Sequence, residues 1–225
     1  MKLKWYGHAA FGITDAQGRH IVTDPYTPET SGYSPITDAT DLVIASSDND
    51  TFHCRHDLVA GDPHFINALS VAEAGGETAW NGLTIRAIQT MEMDGHPYHD
   101  PDQNAMYRFE VDGLRIGHMG DVGNPLAPHQ VAFLKDLDIL LALAGDVPTI
   151  RLDDLKLVID GAAPKLVVPM HFRTLRYRPR DTQWIEAFLS YFDAGQVDFA
   201  FDSEITLKPE DMPTETRVLV MDYAR

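Results

Sequence analysis

Two different spacings of apolar segments divide the 225-residue chain. The first half contains short apolar runs separated by turns, among them LKWYGHAAFGIT, RHIVTDP and the hairpin AMYRFEVDGLRIGHMGD with its Asp-Gly turn. In the second half, apolar strands such as DILLALAG and KLVVPMHF alternate with helical segments such as APHQVAFLKDL and RLDDLKLVIDGA. An antiparallel meander followed by strand–helix alternation predicts an α/β fold of two sheets covered by helices on their outer faces. Because no linker or repeat separates the halves, we expect one domain over residues 1–225.

The charge balance of the chain restricts its partners. Asp and Glu number 34 against 18 Lys and Arg, which gives a formal net charge of −16. Because such a surface repels phosphate backbones and anionic lipid headgroups, we expect neither nucleic acid nor membrane as a partner. The single Cys forms no intramolecular disulfide, no apolar run approaches the roughly 20 residues that span a bilayer, and no signal peptide is recognisable. These features predict a cytoplasmic protein.

Four residues with ligand chemistry stand where predicted strands end. His8 follows the first strand, and Asp24 lies at the end of HIVTDP. Asp121 follows GHMG, and His171 ends VVPMH. Loops at the carboxyl ends of strands converge on one rim of an α/β sheet, and ligands bind there. One such residue is usually a turn or capping residue, but four of them distributed along the chain indicate a common site.

Six segments carry a resemblance to a known family. They are KWYGHAAFGI, IVTDPYTP, DLVIASSDND, NAMYRFEVDGLRIGHMGDVG, LVVPMHFRT and MPTETRVLVMDYA. The chain resembles the metallo-β-lactamase superfamily, in particular the small metal-dependent hydrolases that include the ascorbate-6-phosphate lactonase-like proteins. The resemblance implies a four-layer αββα sandwich, a dinuclear metal site at one edge of the two sheets, and hydrolytic activity.

The ligand set that the resemblance implies is largely missing. The His-x-His-x-Asp-His motif expected after DLVIAS, and the His expected after LTIRAIQT, fall on residues without a metal-binding imidazole or carboxylate: Ser47, Asn49, Thr51, Phe52 and Met93. Only Asp121 and His171 remain of the implied ligands. Two ligands cannot hold two metal ions, and neutral hydroxyl and amide groups do not offset a divalent charge. The sequence therefore predicts a degenerate site without a metal cofactor.

A rebuilt mononuclear site for zinc or manganese is the alternative. His53 and His56 are spaced i, i+3 and share one face if their segment is helical. The candidate ligands are Asp121 and His171 together with His53, His56, His96 or His99. Otherwise these additional histidines are solvated loop residues that lie just beyond the former site.

Neighbouring residues have expected structural roles. His8 and Asp24 are expected to form hydrogen bonds within the rim, supporting the ligand positions from behind. His118 is expected to stabilise the loop beneath Asp121, and Phe52 to fill the space that metal and His left. The basic segment HFRTLRYRPR either faces an anionic ligand or, as is more common, forms ion pairs with nearby carboxylates.

The combined interpretation is a metallo-β-lactamase-fold pseudoenzyme or small-molecule-binding protein. Its pocket is expected to be lined by former metal-site positions, namely Ser47, Asn49, Thr51, Phe52, Met93, Asp121 and His171. The alternative is an active hydrolase on a lactone or phosphoester that uses a rebuilt site or metal-free chemistry. The family resemblance also implies a possible homo-oligomer.

Overall fold

The computed structural model of the chain describes residues 1–48, 51–92 and 103–225. Its strands are β1 (Lys2–Gly7), β2 (Ala10–Thr14), β3 (His20–Thr23), β4 (Thr40–Ala45), β5 (Gly61–Asn67), β6 (Glu77–Trp80), β7 (Leu83–Thr90), β8 (Asn104–Val111), β9 (Leu114–His118), β10 (Ile139–Leu143), β11 (Leu166–Met170), β12 (Val197–Phe199), β13 (Glu204–Thr206) and β14 (Arg217–Val220). Its helices are α1 (Pro28–Ser31), α2 (Ala68–Glu73), α3 (Pro128–Phe133), α4 (Leu152–Ala162) and α5 (Ile185–Leu189). None of the helices in these ranges is long and apolar enough to cross a bilayer.

The strands form two sheets, as predicted. One has the order β13-β1-β2-β3-β4-β5 and the other the order β12-β14-β11-β10-β9-β8-β7-β6. In the first sheet β1, β2 and β3 form the antiparallel meander, and β4 and β5 continue it in parallel. In the second, β6 to β9 are antiparallel, whereas β9, β10, β11 and β14 are parallel. Within the second sheet, the change of spacing along the sequence therefore corresponds to a change from antiparallel to parallel pairing.

The strand patterns follow from burial. β10 (ILLAL) and β11 (LVVPM) are buried at every position, as expected for central parallel strands that are covered on both faces. β7 alternates buried and exposed residues, which is typical of a strand with one solvated face. Trp5, Phe11 and Tyr107 are among the largest fully buried side chains of the core.

One ion cluster joins three parallel strands at their amino-terminal ends. Asp138, immediately before β10, is 4% exposed. Its carboxylate accepts hydrogen bonds from the Arg115 backbone N–H (2.9 Å) and Nε (3.0 Å), and it lies 2.8 Å from Lys165 Nζ. Although burial opposes ionisation, the hydrogen bonds from Arg115 and Lys165 lower the pKa of Asp138 to about 2.

The carboxyl ends of the parallel strands meet at the other edge of the molecule. The His171 N–H donates to the His8 carbonyl at 3.0 Å, which joins the end of β11 to the end of β1. The Ala105 N–H donates to the Ser46 carbonyl at 3.1 Å, which joins β8 to the end of β4. These backbone contacts bring the loops after β1, β3, β4, β9 and β11 from two different sheets to one place.

Candidate functional site

Three residues at this edge have left-handed backbone conformations. The φ angles of His8, Asp24 and His171 are 52°, 38° and 55°. Non-glycine residues rarely adopt this conformation, at a cost of order 1–3 kcal/mol each, and such strain concentrates at functional sites. Each of the three directly follows a strand and is buried.

His8, His53 and His171 form a buried cluster. Their relative exposures are 1%, 1% and 4%, and one ring nitrogen of each lies within 4.8 Å of one ring nitrogen of the other two. The ring centroids of His8 and His171 are only 3.9 Å apart. Burying three neighbouring imidazoles is unfavourable in free energy unless their nitrogens have a common partner.

Asp121 faces two of these imidazoles. Its Oδ2 lies 3.4 Å from His53 Nε2 and its Oδ1 lies 3.5 Å from His171 Nε2, and its side chain is 19% exposed. Both distances exceed the normal range of a hydrogen bond. Ligand atoms bound at 2.0–2.1 Å around a tetrahedral ion are about 3.3 Å apart. The separations therefore match those of atoms that share a metal ion better than those of hydrogen-bonded pairs.

Gly120 and the side-chain amide of Asn104 hold the backbone at Asp121 in place. Gly120 has a φ of 62°, and a Cβ there would lie 2.5 Å from Asn104 Oδ1 and 2.7 Å from Ser46 Cβ. The Asp121 N–H donates to Asn104 Oδ1 at 2.8 Å, and Asn104 Nδ2 donates to Thr90 Oγ1 at 2.6 Å. These contacts fix the carboxylate in front of the histidines.

Asp24 lies behind the cluster and orients His53. Its fully buried carboxylate accepts from the Ser46 N–H (3.0 Å), Ser46 Oγ (2.7 Å), Tyr107 Oη (2.8 Å) and His53 Nδ1 (3.0 Å). Burial opposes ionisation, but the neighbouring His118 and the hydrogen bonds from His53 and Ser46 hold the pKa of Asp24 below its usual value. Since an ionised carboxylate only accepts, the contact with Asp24 keeps a proton on His53 Nδ1 and leaves Nε2, which faces Asp121, as the ring atom that could bind a metal.

Burial disfavours protonation of the other two imidazoles. Burial, reinforced by the neighbouring His171 and His53, lowers the pKa of His8 well below its usual value. Burial lowers the pKa of His171 too, although the Asp121 carboxylate acts in the opposite direction. Neutral imidazoles keep a lone pair for a metal ion, whereas imidazolium rings do not.

The donor set satisfies a test for metal binding. His8 Nδ1 is buried and has no hydrogen-bond partner among the described residues. Polar atoms buried without a partner are uncommon in folded proteins, and an ion that coordinates them removes the cost. Three imidazoles and one carboxylate are ligands that zinc accepts. Zinc and manganese, the metals expected for a rebuilt site, both bind imidazole and carboxylate ligands.

His53 and His56, the two candidate ligands after β4, have different environments. His53 enters the cluster because the segment bends over the end of β3, where the Thr27 N–H donates to the Thr51 carbonyl and the Arg55 N–H to the Pro25 carbonyl. His56 points away and stacks on Phe65 with a centroid distance of 4.0 Å. Asn49, Met93, His96 and His99 lie outside the described residues.

The other predicted positions have various environments. Ser47 is buried, Thr51 is exposed, and the half-buried Phe52 ring lies 5.5 Å from the His8 ring. His118 accepts from the Gly120 N–H through Nδ1 (2.9 Å) and contacts the Ala9 carbonyl through Nε2 (2.9 Å), so it holds the loop before Asp121.

His8 was expected behind the ligands, but its ring is part of the cluster. Its position directly after Gly7, at a strand end, is the only sequence signal that points to it.

Comparisons with known proteins agree with this geometry. The family model of the β-lactamase superfamily domain matches residues 2–171. A UPF0173 metal-dependent hydrolase from Pyrobaculum neutrophilum is 24% identical over 212 residues, which cover 80% of this chain and 89% of the relative. A protein of the same description from Archaeoglobus fulgidus is 24% identical over 211 residues, which cover 81% and 88%.

The solved structures give the same result. A Thermotoga maritima protein, described as a Zn-dependent hydrolase of the metallo-β-lactamase superfamily, superposes with a TM-score of 0.77 and 28% identity over 99% of both chains. Igni18, a metallo hydrolase from Ignicoccus hospitalis, shares the fold with a TM-score of 0.62 and 20% identity over 84% of this chain and 88% of its own. The predicted metallo-β-lactamase sandwich is thereby confirmed.

Proposed function

The chain belongs to the β-lactamase superfamily, and on this basis we propose that it is a metal-dependent hydrolase of small molecules that works with one metal ion instead of two. The observation that carries the proposal is the buried cluster of His8, His53 and His171 in front of Asp121. It replaces the family ligands that the sequence lacks with His8 and His53.

The four residues would hold a zinc or manganese ion through three imidazole nitrogens and one carboxylate oxygen. When bound, such an ion polarises a carbonyl or phosphoryl oxygen and lowers the pKa of water to near neutrality. Asp24 keeps the proton of His53 on Nδ1, and Asn104 keeps the Asp121 carboxylate in position. The burial of the three rings limits access of bulk water from the protein side, so substrate approaches from the side of Asp121, the most exposed of the four.

Metal analysis tests this function. Protein purified without chelator is expected to contain about one equivalent of zinc or manganese, and the metal-free protein is expected to gain thermal stability when either ion is added. At a free metal concentration 100 times the Kd, the gain in unfolding free energy is about 2.7 kcal/mol. His171→Ala is expected to abolish both results.

His56→Ala is the matched control, because His56 stacks on Phe65 outside the cluster. It is expected to keep the metal and the thermal shift. A panel of lactones and phosphoesters then identifies the class of hydrolysed bond. Metal content well below one equivalent, with no thermal shift for either ion, would rule out the metal-dependent function.

A metal-free pseudoenzyme that binds a small molecule is the second candidate. Ser47, Thr51 and Phe52 favour it, since hydroxyls and a phenyl ring occupy positions where the family has metal ligands. Under this proposal the wild type would bind no metal but would bind a small molecule in the pocket. The metal analysis therefore separates the two functions.

A further inference from the structure

Residues 173–180, here called the arginine loop, carry four arginines that form no ion pair with a carboxylate in residues 1–48, 51–92 or 103–225. Ten other Lys and Arg side chains of the chain form ion pairs with carboxylates: Lys2, Lys4, Arg19, Arg55, Arg86, Arg115, Lys156, Lys165, Lys208 and Arg217. In the arginine loop, Arg173 lies over the Trp184 ring and Arg178 donates to the Glu29 carbonyl, but none of the four pairs with a carboxylate of a described residue. The expected pairing with nearby carboxylates is thus not found in the described part of this acidic chain.

The arginine loop is held rigidly from within. Thr174 Oγ1 accepts from the backbone N–H groups of Arg176 (3.2 Å) and Tyr177 (3.1 Å) and contacts Tyr33 Oη at 2.9 Å. The Arg173 N–H donates to the Gln183 carbonyl at 2.8 Å, which closes the base of the loop. Thr174 and Tyr177 are buried. The arginines at positions 176, 178 and 180 are exposed, so the loop presents its charges outward.

The same loop contacts the three-histidine cluster. It begins two residues after His171, and its Tyr177 ring stacks on the His8 ring with a centroid distance of 5.4 Å. Tyr177 Oη lies 3.5 Å from His8 Nε2. The guanidinium groups therefore belong to a segment that is anchored at both His171 and His8.

From this placement we infer that the arginine loop is an anion-binding surface that selects small substrates with a phosphate or carboxylate group for the neighbouring site. The substrate class rests on the proposed function, whereas the anion binding does not. Guanidinium groups match phosphate and carboxylate oxygens with paired N–H donors. Because charges are screened over about 8 Å at physiological salt, the local cluster acts on an incoming anion despite the net charge of the whole chain.

Titration of the metal-free protein with inorganic phosphate and with malonate tests the inference. The arginine side-chain Nε–Hε signals are followed by NMR, with glycerol as an uncharged probe. Phosphate, malonate or both are expected to shift the signals of the arginine loop, with binding that weakens as salt rises, and glycerol to shift none. Replacement of all four arginines by glutamine is expected to weaken anion binding at least about tenfold.

Lys135→Gln is the matched control. Lys135 is also exposed and forms no ion pair with any residue that the structure describes, but it lies between α3 and β10, at the opposite end of β10 from the site. It is expected to change anion binding less than about twofold. A second variant keeps Arg178 and replaces the other three arginines, so that the contact with the Glu29 carbonyl is retained. Anion binding that is unchanged in both variants, or shifts that fall equally on arginines elsewhere, would overturn the inference.

Kinetics of the metal-loaded protein test the substrate class. The KM for p-nitrophenyl phosphate is expected to rise at least about tenfold in the four-glutamine variant with little change in kcat, whereas p-nitrophenyl acetate, which is uncharged, is expected to be unaffected. If the loaded protein hydrolyses neither these two compounds nor any lactone or phosphoester of the panel, the proposed function fails while the NMR result still decides the anion surface. Leu175, 88% exposed in the loop, makes anionic vesicles a useful further probe. Binding to phosphatidylserine vesicles without binding to soluble anions would refute the selection of small substrates.

Discussion

Asp24→Asn is expected to disable the metal site through the protonation of a single ring nitrogen. The two Asp24 oxygens have different donors: Oδ1 accepts from the Ser46 N–H and from Tyr107 Oη, and Oδ2 accepts from Ser46 Oγ and from His53 Nδ1. An amide NH2 cannot face the Ser46 backbone N–H, so it must take the place of Oδ2. There it is compatible with His53 only if Nδ1 loses its proton and Nε2 gains one. The Nε2 lone pair that faces Asp121 is then lost.

The size of the effect follows from this contact. Removal of a group that orients a ligating imidazole typically costs 10–100-fold in metal affinity, or about 1.4–2.7 kcal/mol. The metal-free protein is also expected to lose about 1.5–3 kcal/mol of stability, because a hydrogen bond to a buried charge is replaced by a neutral one. Zinc affinity is measured by competition with a chromophoric chelator, and stability by urea unfolding of the metal-free protein.

Tyr107→Phe is the matched control, since it removes a donor to Oδ1 and leaves the contact with His53 intact. It is expected to reduce stability by about 1 kcal/mol and to change zinc affinity less than threefold. If Asp24→Asn binds zinc as tightly as the wild type, His53 does not ligate through Nε2, and the reasoning fails. If both variants lose affinity equally, the effect arises from general loosening of the site and not from the His53 tautomer.

Three further predictions concern the scaffold. The pKa of Asp138 lies below its value in the unfolded chain, so its ion cluster stabilises the fold above about pH 4 and loses this effect as the pH falls towards 2. Asp138→Asn is therefore expected to lower the free energy of unfolding by about 2 kcal/mol at pH 7 and by much less at pH 2, as measured by urea titration. Gly7→Ala is expected to cost about 2–4 kcal/mol, because φ is 120° and a Cβ would lie 2.4 Å from the Tyr33 ring, whereas Gly18→Ala, with φ at 86° but open space around it, is expected to cost about 1 kcal/mol; equal costs in urea unfolding would contradict this. Phe201 is 83% exposed and has a φ of 54°, a conformation that Asn adopts more readily than Phe. Phe201→Asn is therefore expected to raise the free energy of unfolding by about 0.5–1 kcal/mol and, with it, the melting temperature. A lower melting temperature would show that the ring contributes to packing.

Much of the fold could be predicted from the sequence because burial determines the spacing of its apolar residues. The alternating pattern of β7 and the continuous apolar runs of β10 and β11 correspond to one solvated face and to two covered faces. The edge at which His8, Asp24, Asp121 and His171 meet was also predictable, since each follows a strand. Strand ends are local features, and parallel pairing brings them together.

Which of the two histidines after β4 enters the buried cluster could not be predicted in the same way. The i, i+3 spacing of His53 and His56 suggested a shared helical face, but the short 3₁₀ turn begins only at His56. His53 precedes that turn, in a segment that is fixed by contacts with the residues after β3. Its direction therefore depends on Thr27 and Pro25, which are distant in sequence. The contribution of His8 was hidden for a related reason, because its left-handed backbone turns the ring inward.

The charge of the rebuilt site connects the metal proposal with the arginine loop. In a dinuclear site of the family a bridging carboxylate is shared by two ions, whereas here Asp121 would face one. Three neutral imidazoles and one carboxylate would leave a divalent ion with a net charge of +1, and the four arginines of the loop lie on the segment that follows His171. The proposed ion and the arginine loop would thus place positive charge at one edge of the sheets in a chain with a net charge of −16. Since the rest of the surface repels anions, this local reversal favours small anions that reach the edge and disfavours polyanions that must also contact the acidic surroundings.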